Sequence, residues 1–283
     1  MRVIMVVAAL MLGACQHVSA PPPVVGEIRD LRNGQTLSPR ELVTRLAEPS
    51  RLIIGEQHDN LDHHQLQLWL LQQLNERRKQ GSLLLEMLTP NQQVLVDNVR
   101  HAGSPPADLP AALAWQSGWD WHLYGPIVRY ALTQPYPLLA ANLDFAEMRA
   151  VYARPPSLSG ARSNAATLRA ALLAQIGDSH CGLLPAAQMP AMLAVQQQRD
   201  RRMAEQLLKA PAPSVLFAGA YHARKDVGVP VHLLDLSEDA APTVLMLAQQ
   251  GSEVTTAMAD FVWLTPATPV PDYCEEMRQQ IGR

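Results

Sequence analysis

Four short apolar runs punctuate the chain: Leu52-Ile53-Ile54, Leu83-Leu84-Leu85, Leu138-Leu139-Ala140 and Val215-Leu216-Phe217. None alternates with polar residues, so each predicts a strand buried on both faces, the habit of parallel sheets. Long amphipathic stretches fill the gaps. Ser38-Pro39-Arg40-Glu41 is a capping box with proline at the first helical position. Asp62 or Asn60 caps a helix running to about Lys79, Thr89-Pro90 opens another, and Asp144 with Glu147 opens a third. Met189 to Leu208 predicts the longest helix. The alternation predicts an α/β fold: a central, mainly parallel sheet flanked by helices on both faces. Val151 to Gln188, rich in Pro, Ala and Ser, reads as a helical insertion with loops. Val231 to Asp235, Val244 to Ala248 and Phe261 to Thr265 predict late strands that extend the sheet as a mixed edge.

The first residues follow a different pattern. Met1-Arg2-Val3 gives a short positive start, and Ile4 to Leu12 is apolar but too short to span a bilayer, which takes about 20 residues. Leu12-Gly13-Ala14-Cys15 is a lipobox. Residues 1–14 are expected to be a lipoprotein signal peptide, with Cys15 receiving the lipid that anchors the chain. Gln16 after the cysteine favours the outer membrane, facing the periplasm or the cell surface. Residues 15–25, with Pro21-Pro22-Pro23, read as the lipidated cysteine and its extended tether, and 26–283 as a single domain.

Composition narrows the function classes. A hydrophobic content of 48% suffices for a full core, and a net charge of −3 gives no reason to expect a nucleic acid partner. Aromatics are few, yet Trp115, Trp119 and Trp121 cluster. With Cys15 lipidated, Cys181 and Cys274 remain, and outside the cytoplasm they are expected to form a disulfide tying the C-terminal tail to the middle of the chain.

Polar residues concentrate where the strands end. The first strand runs into Gly55-Glu56-Gln57-His58-Asp59-Asn60, the second into Glu86, the third into Asn142, and the fourth into Gly219-Ala220-Tyr221-His222. The carboxyl ends of parallel strands line the ligand crevice of an open α/β sheet. Glu56, His58, Glu86, Asn142 and His222 are therefore expected to converge, with Asp59, His63 and His64 beside them. His63 and His64 are adjacent on a helix, so one is expected to face the crevice and the other the surface. Such a cluster suits a divalent metal, a general acid/base pair, or the hydrogen-bonding wall of a pocket. Taken singly, Glu86 also reads as a helix cap and Asn142 as a turn residue.

At these residues the chain resembles the ChaN-type haem-binding lipoproteins. The matching segments are 55–60 with His63-His64, Leu84 to Met87, Gly118-Trp119-Asp120-Trp121 with Tyr124, Ala140 to Leu143, Gln198-Arg199-Asp200 with Met203-Ala204, and Gly219 to Pro230. The resemblance implies ferric haem held by a tyrosine at a homodimer interface, paired haems facing each other, and a role in haem or iron acquisition; a haem-uptake receptor is a candidate protein partner, which the sequence itself does not name. Of the six tyrosines, Tyr124 in the tryptophan-rich segment and Tyr221 beside His222 are the candidate iron ligands. Trp119 and Trp121 are candidate porphyrin walls, and Arg224, with Lys225, a candidate propionate partner. The paired Gly-x-x-His turns also resemble a wider superfamily that includes erythromycin esterases and membrane-anchored metalloproteases. That leaves a metal-dependent or acid/base hydrolase as the alternative, and a purely structural lipoprotein as a third reading.

Overall fold

The protein is described here by a computed structural model covering residues 21–269 and 272–281. The strands are β1 (Glu27–Asp30), β2 (Gln35–Thr36), β3 (Arg51–Glu56), β4 (Ser82–Leu85), β5 (Leu138–Ala140), β6 (Ser214–Gly219), β7 (Thr243–Gln249) and β8 (Phe261–Thr265). The helices are α1 (Pro39–Leu46), α2 (Leu61–Arg77), α3 (Pro90–His101), α4 (Leu109–Ala112), α5 (Trp121–Leu132), α6 (Phe145–Ala153), α7 (Ala166–Ser179), α8 (Met189–Lys209), α9 (Ala220–Ala223), α10 (Val229–Leu236) and α11 (Tyr273–Ile281).

The strands form one sheet in the order β2-β1-β8-β7-β3-β6-β4-β5. From β8 to β5 every pairing is parallel, whereas β1 is antiparallel to both β8 and β2. The uninterrupted apolar runs follow from burial on both faces. Leu52, Ile54, Leu83, Leu85, Val215 and Phe217 pack towards α1, α2, α3 and α5. Ile53, Leu84 and Leu216 point the other way, onto Met203, Ala204 and Leu207 of α8 and Val229 and Leu233 of α10. A smaller cluster joins Leu168, Leu172 and Ile176 of α7 to Leu193 of α8, so the insertion forms an outer layer.

Both sheet edges are short. At β5 the Gln93 side chain does what a neighbouring strand would do. Its Nε2 donates to the Leu138 carbonyl at 3.1 Å, and its Oε1 accepts from the Ala140 amide at 2.7 Å.

Several sequence expectations need correction. Val231 to Asp235 is not a strand but lies in α10, which Gly228 caps and in whose first turn Pro230 sits. Proline suits a helix start and cannot donate within a sheet ladder, and a five-residue apolar run does not distinguish the two states. The tether expected over 15–25 is not wholly free, since Val24 is buried in the main core. Asn60, not Asp62, caps α2, its Oδ1 accepting the His63 amide. Cys181, at the end of α7, is bonded to Cys274 in α11. The signal peptide and Cys15 lie outside the described residues.

Candidate functional site

The C-terminal ends of β3, β4 and β6 meet in one polar floor. Register alone places Glu56 beside Gly219. Gly219 is glycine because the His58 ring lies against it: a Cβ there would stand 2.6 Å from His58 Nε2. The Gly219 amide in turn donates to Glu86 Oε2 at 2.8 Å. The two Gly-x-x-His turns, 164 residues apart, thus share a single rim, with Gly219 as their hinge point.

The first arm is built on Glu56, buried at the end of β3. Its Oε1 accepts from His58 Nδ1 at 2.7 Å and from the Tyr124 hydroxyl at 3.0 Å. Burial opposes charge on His58, but the hydrogen bond to the Glu56 carboxylate and its charge prevail and raise the imidazole to about 9. The His58 side chain is 43% exposed, so this cation faces solvent at neutral pH. Tyr124 shows the opposite effect: burial, then the Glu56 charge, push its phenol far above the usual range. His64 closes the arm, its Nε2 donating to the His58 carbonyl at 3.0 Å and its ring edge meeting Tyr124 at 4.4 Å. Trp119 stands edge-on to His58 at 4.9 Å.

The second arm is built on Glu86. Its Oε1 accepts from Arg199 Nη2 at 2.6 Å and lies 3.4 Å from His222 Nε2. Burial pushes this carboxyl up, yet His222, Arg199, His58 and the Gly219 amide together hold it at about 2. His222 Nδ1 lies 2.6 Å from Asp200 Oδ1, so a carboxylate stands at each ring nitrogen. Asn142 Oδ1 accepts from Arg199 Nε at 3.2 Å and fixes the guanidinium. Glu56, Glu86 and Asp200 each engage a cationic or basic group of the chain itself. A divalent metal was one of three uses the sequence allowed for this cluster, and among the described residues no group of three or more His, Cys, Asp and Glu is arranged to hold one.

Residues 42–233 match the family model described as haem-binding uptake, Tiki superfamily, ChaN. The chain belongs to the ChaN family. It superposes with a TM-score of 0.79 on the structure of cofacial haem binding to ChaN of Campylobacter jejuni, at 25% identity over 86% of this chain and 97% of that one. Two further structures match at lower scores. An erythromycin esterase mutant, EreC in its open conformation, is 15% identical over 90% of this chain and 86% of its own, with a TM-score of 0.47. RRSP, a MARTX toxin effector domain from Vibrio vulnificus, is 14% identical over 86% of this chain and 41% of its own, also with a TM-score of 0.47. No curated protein matches the sequence.

In this ChaN-family chain the structure gathers Glu56, His58, His64, Glu86, Asn142 and His222, as expected, and sets others apart. His63 and His64 are both buried, so neither is a surface histidine. His63 turns away from the floor: its Nδ1 accepts the Gln57 amide at 3.0 Å and its Nε2 lies 3.2 Å from Thr265 Oγ1. Asp59 points outward and accepts the Tyr273 hydroxyl of α11. Trp121 is not a free porphyrin wall: its ring covers Gly125, meets Trp115 at 5.0 Å and carries Arg129 over its face at 5.6 Å. Arg224 is held by Asp226 through two bonds of 2.9 and 2.6 Å, which removes it as a ready propionate partner, and Lys225 pairs with Asp260 at 2.7 Å. Tyr124 is buried with its hydroxyl committed to Glu56, so it offers no exposed ligand.

Sequence reasoning missed Arg199 and Asp200 as members of the floor. A signal was present. Residues 193, 197, 200, 204 and 207 form the inward stripe of α8, and Asp200 is a charged residue in the middle of it. A carboxylate at such a position needs a buried partner, and His222 is that partner.

Proposed function

We propose that this chain is a membrane-anchored lipoprotein that binds ferric haem through an exposed tyrosine, at a surface shared by two copies, and acts in haem or iron acquisition. The family match over residues 42–233 carries this reading, and the likeness to a ChaN that binds haem cofacially supports the pairing. The donor set fits the cofactor: phenolate is an established protein ligand for haem iron, and Tyr152 and Tyr221 are exposed. Bound haem would supply the iron centre. The chain's share is to provide a ligand, an apolar face and a cation for a propionate. Lipidation at Cys15, with Gln16 following, would place the domain at the outer membrane, within reach of a haem-uptake receptor.

The test is a titration of the full-length chain, purified in mild detergent, with ferric haem. A Soret band with tyrosinate-type charge-transfer bands, saturating at one haem per chain and accompanied by dimerisation, is expected. Absence of any spectral change would end the proposal.

One observation favours a second reading. Asp200 orients His222, as a general acid/base would require. Acid/base hydrolysis predicts turnover of activated esters that His222→Ala abolishes; turnover that survives this change, or none at all, discards it.

A further inference from the structure

The turn that carries His58 is held from three sides. From α2, His63 Nδ1 accepts the Gln57 amide at 3.0 Å, and His64 Nε2 donates to the His58 carbonyl at 3.0 Å. From the end of β7, Gln249 Nε2 donates to Gln57 Oε1 at 2.9 Å. From α11, the Tyr273 hydroxyl donates to Asp59. The first two holds belong to buried residues of the body of the fold. The third is of another kind. The residue after Tyr273 is Cys274, bonded to Cys181 at the end of α7. A short relay results: Cys274 adjoins Tyr273, Tyr273 holds Asp59, and Asp59 adjoins His58.

From this connection we infer that the Cys181–Cys274 disulfide is a redox latch on the His58 turn. While the bond is intact, α11 is pinned to the outer helical layer and Tyr273 keeps Asp59 in place. Reduction frees α11, the hold on Asp59 is lost, and the turn loosens over the polar floor. The inference concerns access to that floor and does not depend on haem binding.

Little besides the disulfide keeps α11 where it is. Among its described side chains none is buried, and none belongs to the core clusters. Without buried apolar area, one exposed hydrogen bond contributes little to holding a helix. Cys181 and Cys274 are both half-buried, so a thiolate can reach them. Cys181 has a φ of 57°, a left-handed conformation that a cysteine seldom adopts, and the backbone there gains by relaxing once the bond opens. The reductant is an external dithiol, small or carried by a protein. Its two thiols become a disulfide, and its two electrons and two protons pass to Cys181 and Cys274, which become thiols. The effect reaches the floor because the His58 ring lies against Gly219, whose amide donates to Glu86. A loosened turn withdraws that ring and opens the Gly219–Glu86 contact to water.

The experiment is amide hydrogen exchange, read by mass spectrometry, on the full-length chain in mild detergent. It compares the oxidised chain, the chain reduced by dithiothreitol without denaturant, Cys274→Ser and Tyr273→Phe. A mass gain of two hydrogens confirms the reduction. The amides of Gln57, Asn60 and Gly219 are hydrogen-bonded and report the turn and the floor. They should exchange at least about fivefold faster in the reduced chain and in Cys274→Ser, while β4 and β7 keep the parent rate. Tyr273→Phe keeps the disulfide but loses the hydroxyl, and should speed exchange at 57–60 by a smaller factor. Exchange at 57–60 that stays at the oxidised rate after reduction overturns the latch, as does a disulfide that dithiothreitol opens only in denaturant. A Tyr273→Phe chain indistinguishable from the parent overturns the route through Asp59. Faster exchange throughout β4 and β7 would make the disulfide a staple of the whole fold and overturn the inference as well.

Discussion

Lowering the pH from 7 to 4 is expected to remove several kcal/mol of folding stability from this protein. His63 and His232 are fully buried, and burial lowers each imidazole from the usual 6.5 to about 4. The unfolded chain takes up protons at these positions near pH 6.5, whereas the folded chain refuses them until about 4. Acid therefore favours unfolding across that interval, by roughly 3 kcal/mol for each histidine. Glu86 continues the trend. Its carboxyl sits at about 2 against the usual 4.5, so its contribution is present above 4.5 and is lost as the pH falls through 2. His58 acts on the alkaline side only: its contribution is complete below 6.5 and fades as the pH rises through about 9. Denaturant midpoints at pH 7, 5.5 and 4 would measure this. His232→Leu should flatten the acid limb, because neither ring nitrogen of His232 has a hydrogen-bond partner. Midpoints that stay constant from pH 7 to 4 would show that the buried histidines are not neutral in the fold.

Glu86→Ala is expected to be the most damaging single change in the polar floor. It leaves the Arg199 guanidinium, His222 Nε2 and the Gly219 amide without the carboxylate that each faces. Removing one partner from a buried charge network costs about 3–5 kcal/mol. For a domain of this size that is a fall in Tm on the order of 10 °C. Glu86→Gln, which keeps the shape and one acceptor, should fall between parent and alanine variant. A drop below about 1 kcal/mol for Glu86→Ala would mean the floor relaxes around the gap.

The sheet was legible because its strands are buried on both faces. Leu52 to Ile54 and Val215 to Phe217 have no solvent side, so no polar residue interrupts them. β1 was not legible for the converse reason. Glu27-Ile28-Arg29-Asp30 lies near an edge, buries only alternate residues, and is too short for its period to stand out. Within the site, residues directly after strands could be found from the chain alone, as Glu56, Glu86 and His222 were. Tyr124 and Arg199 reach the floor from α5 and α8, and only packing reveals which side of a helix meets which strand end. The exposure of Phe145 and Tyr152 on α6 was not legible either, because an apolar residue on a helix normally reads as core. Nothing in Phe145 or Tyr152 alone says that the helix presents them to water.

The Gln93 amide at β5 has a consequence for assembly. An open edge strand invites another chain to continue the backbone ladder, and many proteins associate in that way. Here a side chain already occupies the two groups that such a visitor would need, and the opposite border is a two-residue strand. Joining two copies by extending one sheet into the next is therefore disfavoured at both borders.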